Sequence, residues 1–278
     1  MDRAVTPQCE ALFLTGQRGR LFALLLAPAG DCRGQLLCIP PFTEESNRSR
    51  VMLTTAARAL AQQGFATLIL DPYGTGDSEG DFEQALWSGW QDDVAVGIQW
   101  LKARGPAPIL WGLRSGALLA ASVAARDSLG CSRLLFWQPV LNGKQMLTQY
   151  LRLRVGNLSA GQSTPTTTKA LRQRLADGET LEIGGYYISP QLADELDGAL
   201  MPDPWPDGAA VTVDWLEAVD PGKTELSIGS AKLVERWRGQ GVAVNTTPFS
   251  GPAFWQLHER FLAQELIDKT REALSDGP

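Results

Sequence analysis

Ile109-Leu110-Trp111-Gly112-Leu113-Arg114-Ser115-Gly116-Ala117 is an apolar strand, a glycine turn and the first residues of an alanine-rich helix. A Gly-x-Ser-x-Gly motif needs this context, because its middle residue sits on a sharp strand-to-helix turn that exposes the side chain. Counted from Gly112, the middle residue is Arg114, and Ser115 falls one place late. A guanidinium stays protonated at ordinary pH and cannot attack a carbonyl. The stretch therefore has the geometry of a nucleophile turn and an arginine at its apex.

Outward from this turn, apolar runs and helical periodicities alternate. Residues 11–14 and 20–27 flank Thr15-Gly16-Gln17-Arg18-Gly19 and read as a β-hairpin. Residues 35–39 read as a strand, 50–63 as a helix stopped by Gly64, 66–70 as a strand ending at Asp71, and 83–104 as a helix. The turn itself joins a strand at 107–111 to a helix at 115–127, and a strand at 132–137 ends in Gln138-Pro139. This alternation predicts an α/β fold with a mostly parallel, doubly wound sheet and an antiparallel N-terminal hairpin. Ligands in such sheets sit beyond the carboxyl ends of the strands. Those ends carry Pro40-Pro41-Phe42, Asp71-Pro72-Tyr73, Gly112-Leu113-Arg114 and Gln138-Pro139.

The alternation breaks after Val140. Residues 143–207 read as an inserted, mainly helical cap. It has a basic helix at 144–154, a Ser/Thr-rich loop at 159–168, a helix at 169–177, then Gly184-Gly185-Tyr186-Tyr187 and Met201-Pro202-Asp203-Pro204-Trp205-Pro206. A strand at 210–216, a helix at 229–238, a strand at 242–247 and a final helix at 254–273 resume the pattern. The expected division is a core of residues 1–142 and 208–278 and a cap of residues 143–207.

With 278 residues, 44% hydrophobic and 20% charged, the chain is long enough for one large core with an insertion. Its net charge of −6 argues against nucleic-acid binding and against general attraction to anionic membranes. The longest apolar run, residues 21–28, is too short to span a bilayer, and the N-terminus has no signal-peptide pattern. Cys9, Cys32, Cys38 and Cys131 form no CxxC or Cys/His cluster. They read as reduced thiols in a cytoplasmic protein, with no metal and no cofactor called for by any motif.

Asp71-Pro72-Tyr73-Gly74-Thr75-Gly76-Asp77-Ser78 resembles the D-x-x-G-x-G-x-S loop of α/β-hydrolases, with Asp71 and Ser78 holding the turn. Gly74-Thr75-Gly76 alone is weak evidence for phosphate binding, because no Walker lysine follows. The hairpin, this loop, the Gly112–Gly116 turn and the late cap together resemble the α/β-hydrolase superfamily along nearly the whole chain. A narrower resemblance lies in Cys38-Ile39-Pro40-Pro41-Phe42-Thr43-Glu44-Glu45, Trp111-Gly112-Leu113-Arg114, Trp137-Gln138-Pro139-Val140, Gly143-Lys144-Gln145, Thr148-Gln149-Tyr150-Leu151-Arg152-Leu153-Arg154 and Phe254-Trp255. These segments resemble the exosortase A system-associated hydrolase 2 family, which is encoded beside bacterial exopolysaccharide and PEP-CTERM protein-sorting genes.

An active serine hydrolase of this superfamily has nucleophile, acid and histidine in that chain order. The acid place falls just after the strand at 210–216, where Asp220 fits and Glu217 is a second candidate. The histidine place falls in Gly251-Pro252-Ala253-Phe254-Trp255 and is filled by Phe254. The only histidine, His258, is expected one turn into the final helix, on the face that Phe254 shares. Ser115 as a displaced nucleophile has no evident base.

Arg114 has two readings. It can present a planar donor fork to an anion at a helix N-terminus, or it can be bridged internally by Glu44, Glu45, Glu217 or Asp220. The expected ligand-binding set is Arg114, Pro41, Phe42, Glu44, Glu45 and Gln138, around a small anionic or acyl ligand. Lys144, Arg152, Arg154, Lys169, Arg172 and Arg174 make the cap basic, either as solvated faces or as a surface for a protein partner. Trp205, Tyr186 and Tyr187 read as cap packing rather than a sugar platform. Two functions follow. One is a degenerate hydrolase that binds a ligand or partner in exopolysaccharide or PEP-CTERM-related processes. The other is an active hydrolase of an ester, thioester or amide with a rearranged site, using Asp220 and His258 to activate water.

Overall fold

The computed structural model of the protein describes residues 7–126, 129–158, 167–206 and 210–275, with backbone alone at 153–158. Strands β1 (Gln8–Thr15) and β2 (Arg20–Ala27) form the N-terminal hairpin, with Leu14 opposite Leu21. Strand β3 (Gly34–Ile39) leads into helix α1 (Glu44–Gln62), and β4 (Phe65–Leu70) returns beside it. Helix α2 (Trp87–Lys102), strand β5 (Ile109–Leu113), helix α3 (Ser115–Ala124) and strand β6 (Arg133–Trp137) follow. Between β6 and the next strand of the sheet, the segment read from the sequence as an insert carries helices α4 (Gly143–Leu158) and α5 (Thr168–Ala176), strands β7 (Leu181–Ile183) and β8 (Tyr186–Ile188), and helix α6 (Pro190–Gly198). Strand β9 (Thr212–Val219), helix α7 (Ile228–Gly239), strand β10 (Ala243–Ser250) and helix α8 (Gln264–Ala273) complete the chain.

Eight strands form one sheet in the order β1-β2-β4-β3-β5-β6-β9-β10. β1, β2 and β4 pair antiparallel, and the remaining pairs are parallel. Alternate residues of the central strands feed the two faces, as the two-residue strand period requires. Leu37, Ile39, Leu68, Leu70, Leu134 and Phe136 join α2, α3 and α7 on one face. Leu36, Cys38, Phe65, Ile69, Leu135 and Trp137 join α1 and α8 on the other. The insert shares the first of these clusters through Leu147, Leu151, Leu171 and Leu192. Its base is stitched by Gly143 N–H to Ala199 O at 2.8 Å and Met201 N–H to Leu141 O at 3.0 Å.

Four sequence expectations change. Helix α1 starts at Glu44 rather than Arg50, so Glu44 and Glu45 stand in a first helical turn, where the helix dipole favours carboxylates. The apolar periodicity begins only at Met52, which hides those first polar turns. The helix expected at 83–104 opens as a short 3-10 turn, Phe82–Gln84, and α2 starts at Trp87. The final helix is split into a 3-10 turn, Phe254–Gln256, and α8. Phe254 and Trp255 turn together into the α1–α8 side of the core, and Phe261 and Leu262 stay exposed. The insert is also less purely helical than expected, because Gly184-Gly185 is the turn of a two-stranded hairpin. Most of the Ser/Thr-rich loop and the end of the helix expected at 115–127 lie outside the described residues.

Candidate functional site

Three non-glycine residues have positive φ among the described residues, and all lie beyond the carboxyl ends of neighbouring strands. Thr43 (φ 60°) follows β3, Arg114 (φ 55°) follows β5, and Gln138 (φ 44°) follows β6. Such conformations cost on the order of 1–3 kcal/mol each and persist only where surroundings over-determine them. For Arg114 the surroundings are visible. Its N–H bonds Trp137 O at 3.0 Å, and its carbonyl accepts from Ala117 N and Val140 N at 3.1 and 3.2 Å. A Cβ on Gly112 would lie 2.4 Å from Ala117 N, and one on Gly116 would lie 2.0 Å from Ile39 O. Only glycine lets α3 start this close to β5 and β3.

At the apex, the Arg114 side chain is largely buried, at 13% exposure, and is held by Glu45. Nε donates to Oε1 and Oε2 at 3.4 and 3.3 Å, and Nη2 donates to Oε1 at 3.3 Å. These contacts are longer than the roughly 2.7–2.9 Å of a tight charge-assisted bond. The guanidinium carbon also lies 5.4 Å from the Trp255 ring centroid. A guanidinium has five N–H donors. Glu45 engages two of the three nitrogens, and Nη1 has no hydrogen-bond partner among the described residues.

Above Arg114 lies a cavity of about 510 Å³. Its walls include Phe42, Glu44, Glu45, Arg48, Met146, Tyr150, Trp255 and His258. Tyr150 donates its hydroxyl to Ile183 O at 2.9 Å, and burial pushes its pKa up. Among the described residues, the buried Trp255 indole N–H has no hydrogen-bond partner. Arg48 bridges Glu44 at 2.6 Å and donates to Gln256 O at 2.9 Å, tying α1 to the Phe254–Gln256 turn. Met146, Gln149, Tyr150 and Gly184 come from the insert, and Trp255, Gln256 and His258 from the segment after β10. The Gln-Tyr pair at 149–150 stood in the sequence, but no periodicity says which cavity a helix face overlooks.

The remaining expected site residues separate. Pro41 lines a distinct, water-sized cavity of about 10 Å³, covered by Trp87, Trp90 and the start of α3. Gln138 is absent from the large cavity's wall. Its side-chain oxygen accepts from Ala218 N at 2.7 Å, and its own N–H bonds Leu216 O at 2.7 Å, so it couples β6 to β9. Asp220 is on an exposed turn, paired with Lys223 at 2.7 Å. Glu217 is buried and accepts from Trp215 Nε1 and Ser227 N at 2.9 and 2.8 Å. Neither reaches Arg114, so of the four carboxylates considered Glu45 alone is its partner. Phe254 is buried against Trp255, with ring centroids 5.0 Å apart. His258 is not inside a helix. It is exposed in the segment between Gln256 and α8 and lines the cavity rim. Ser115 is buried, and its Oγ accepts the Phe42 N–H at 3.2 Å.

In the insert, Arg172 is held by Asp197 at 2.8 Å and Arg174 by Glu179 at 2.6 Å, whereas Lys144, Arg152 and Lys169 are exposed. Arg154 lies outside the described side chains. Trp205 packs on Trp237 and Tyr186 on Phe82, with centroids 5.3 Å apart in both pairs, while Tyr187 is exposed. Among the described residues, no group of three or more His, Cys, Asp and Glu side chains is placed to hold a metal ion, and no helix is long and apolar enough to cross a membrane.

This architecture has many solved counterparts. Over 96% of this chain and 99% of the other, it superposes on Est1E from Butyrivibrio proteoclasticus with ferulic acid bound, with a TM-score of 0.68 and 16% identity. A thermostable carboxyl esterase from Bacillus coagulans, in complex with glycerol, gives a TM-score of 0.62 at 15% identity over 97% and 96% of the two chains. The alpha/beta hydrolase domain-containing protein 10 from mouse gives 0.61 at 17% identity over 96% and 99%. The chain has the α/β-hydrolase fold. A family model for X-Pro dipeptidyl-peptidase (S15 family) matches residues 20–144, from β2 of this α/β-hydrolase sheet to the start of the insert. No curated protein matches the sequence.

Proposed function

We propose that this α/β-hydrolase-fold chain is a binding protein rather than a serine hydrolase, and that its cavity takes a small ligand with one anionic group and an apolar body. The observation that carries this reading is Arg114 at the apex of the nucleophile turn. Its guanidinium is too loosely bridged by Glu45 to be saturated and is turned toward a cavity. An internal bridge and an anion site are compatible here, because the pairing leaves donors free. Phe42, Met146, Tyr150 and Trp255 supply the apolar wall.

A second observation concerns the oxyanion hole. In α/β-hydrolases it is formed by the N–H after the nucleophile and an N–H from the loop after β3. Those places fall on Ser115 and Phe42. Here the Phe42 N–H is taken by Ser115 Oγ at 3.2 Å. Ser115 thus holds the loop shut and leaves a developing oxyanion one donor short. The resemblance to the exosortase A system-associated hydrolase 2 family supports exopolysaccharide production or PEP-CTERM protein sorting as the setting.

The competing reading is a hydrolase of an ester, thioester or amide that activates water. His258 on the cavity rim favours it. Asp220, its intended partner, is instead paired with Lys223 on an exposed turn.

A thermal-shift screen of acyl carboxylates, sugar phosphates and polyprenyl-phosphate analogues separates the readings when run beside a fluorophosphonate probe and p-nitrophenyl esters. Stabilisation of the wild type that is lost in Arg114→Met, without covalent labelling, is the expected result. Stoichiometric labelling at Ser115, or ester turnover abolished by His258→Ala, overturns it.

A further inference from the structure

A second cavity, of about 530 Å³, opens on the outer face of α1. Arg48, Arg50, Arg58 and Arg260 line it with His258, and among the described residues Glu259 is the one carboxylate on its wall. Arg48 and His258 line both cavities, so the two are separated by the strap that Arg48 makes to Glu44 and Gln256. Arg50 is bridged to Asp71 at 2.9 Å. Arg58 and Arg260 are exposed and form no ion pair among the described residues.

This charge is not the background of the chain, which has 31 acidic against 25 basic residues. Nor, from Arg50 onward, is it an ordinary solvated helix face. Such faces intersperse carboxylates three or four residues from each cation. Arg48 has Glu44 four residues before it, but from Ser46 to Gln62 α1 carries no acidic residue, so Arg50 and Arg58 have none at that spacing. Arg50, Thr54 and Arg58 recur every four residues on one face and span about 12 Å of helix axis. Arg260 faces them from the segment after Gln256. A planar carboxylate is satisfied by one guanidinium fork. A phosphate offers three oxygens and up to two charges, and it takes donors from several directions.

We propose that the outer groove is a phosphate-recognising subsite.

Isothermal titration at constant ionic strength, with pyrophosphate, octyl phosphate and octanoate as probes, tests it. The wild type should bind both phosphates, and octanoate at least about tenfold more weakly. Arg58→Gln with Arg260→Gln, two exposed positions, should weaken both phosphates about tenfold or more while leaving the melting curve in place. Arg58→Lys with Arg260→Lys, which keeps the charge and removes the forks, should recover only part of the loss. Arg114→Met, outside the groove, should spare pyrophosphate. Absence of pyrophosphate binding, binding indifferent to the double glutamine variant, or octanoate binding as tightly as octyl phosphate overturns the subsite.

Discussion

Two arginine–carboxylate pairs sit at strand ends on either side of β3, and they are built differently. At the end of β4, Asp71 is almost fully buried. Arg50 Nη2 reaches both its oxygens at 2.9 and 3.1 Å, and Asp77 N–H adds a bond at 3.1 Å. Ser78 closes the loop by donating to Asp71 O at 2.5 Å and accepting from Phe22 N at 2.8 Å. At the end of β5, Arg114 and Glu45 meet only at 3.3–3.4 Å, beside a large cavity. The first pair is a closed network that fixes a turn. The second is open, and open pairs are where a ligand can enter.

The largest expected effect falls on the closed pair. Asp71→Ala removes the partner of Arg50 and the acceptor of Asp77 N–H, and should cost about 3–4 kcal/mol in urea denaturation. A loss below about 1 kcal/mol would mean that the two pairs do not differ as described.

Next is Asp93, which accepts from Tyr73 N in the same loop at 2.8 Å. Burial outweighs that bond and raises its pKa from 3.8 to about 6. A carboxyl raised in the folded state binds more protons there than in the unfolded chain. Its contribution to stability is therefore present below pH 4 and is lost as pH rises toward 6. Asp93→Asn keeps the acceptor and removes the charge. Relative to wild type it should gain about 2–3 kcal/mol between pH 4 and 7. A difference that stays flat across this range would contradict the assignment.

Arg114→Met should cost less, about 1–2 kcal/mol, because Glu45 keeps 27% exposure and can be rehydrated. A cost as large as that of Asp71→Ala would make the second pair structural as well. The smallest effect belongs to Ser115→Ala, which should lower stability by about 1 kcal/mol by freeing the Phe42 N–H. Amide hydrogen exchange at Phe42 should quicken in that variant, and unchanged protection there would remove Ser115 from its role as the loop's latch.

The loop of the closed pair was readable in the sequence because Asp71, Gly74, Gly76 and Ser78 lie within eight residues, whereas its partner Arg50, 21 residues away on α1, was not. The sheet was readable for a similar reason. β3 to β6 are short apolar runs punctuated by glycine, and their order follows from alternation with helices. The open pair was only half legible. Arg114 announced itself, but its partner could be any of four carboxylates until the first polar turns of α1 placed Glu45 across from it. Asp220 and Gln138 misled because the sequence shows their position after a strand and not what satisfies them. Lys223 takes the first and the β9 backbone takes the second. His258 misled because helical spacing was assumed where the chain leaves the helix after Gln256.

The two glycines flanking Arg114 separate shape from chemistry at this turn. Their missing side chains wedge α3 against β5 and β3, so the bend belongs to the packing and not to the residue at its crest. Position 114 is in effect a fixed pedestal. Any side chain mounted there is aimed along one vector over the same cavity, and each bears the same backbone tension. A preserved bend is therefore silent about reactivity, and the occupant alone carries that information. The same property makes position 114 a ready socket for engineering. A nucleophile, a metal-binding group or an unnatural side chain installed there inherits its aim without any redesign of the backbone.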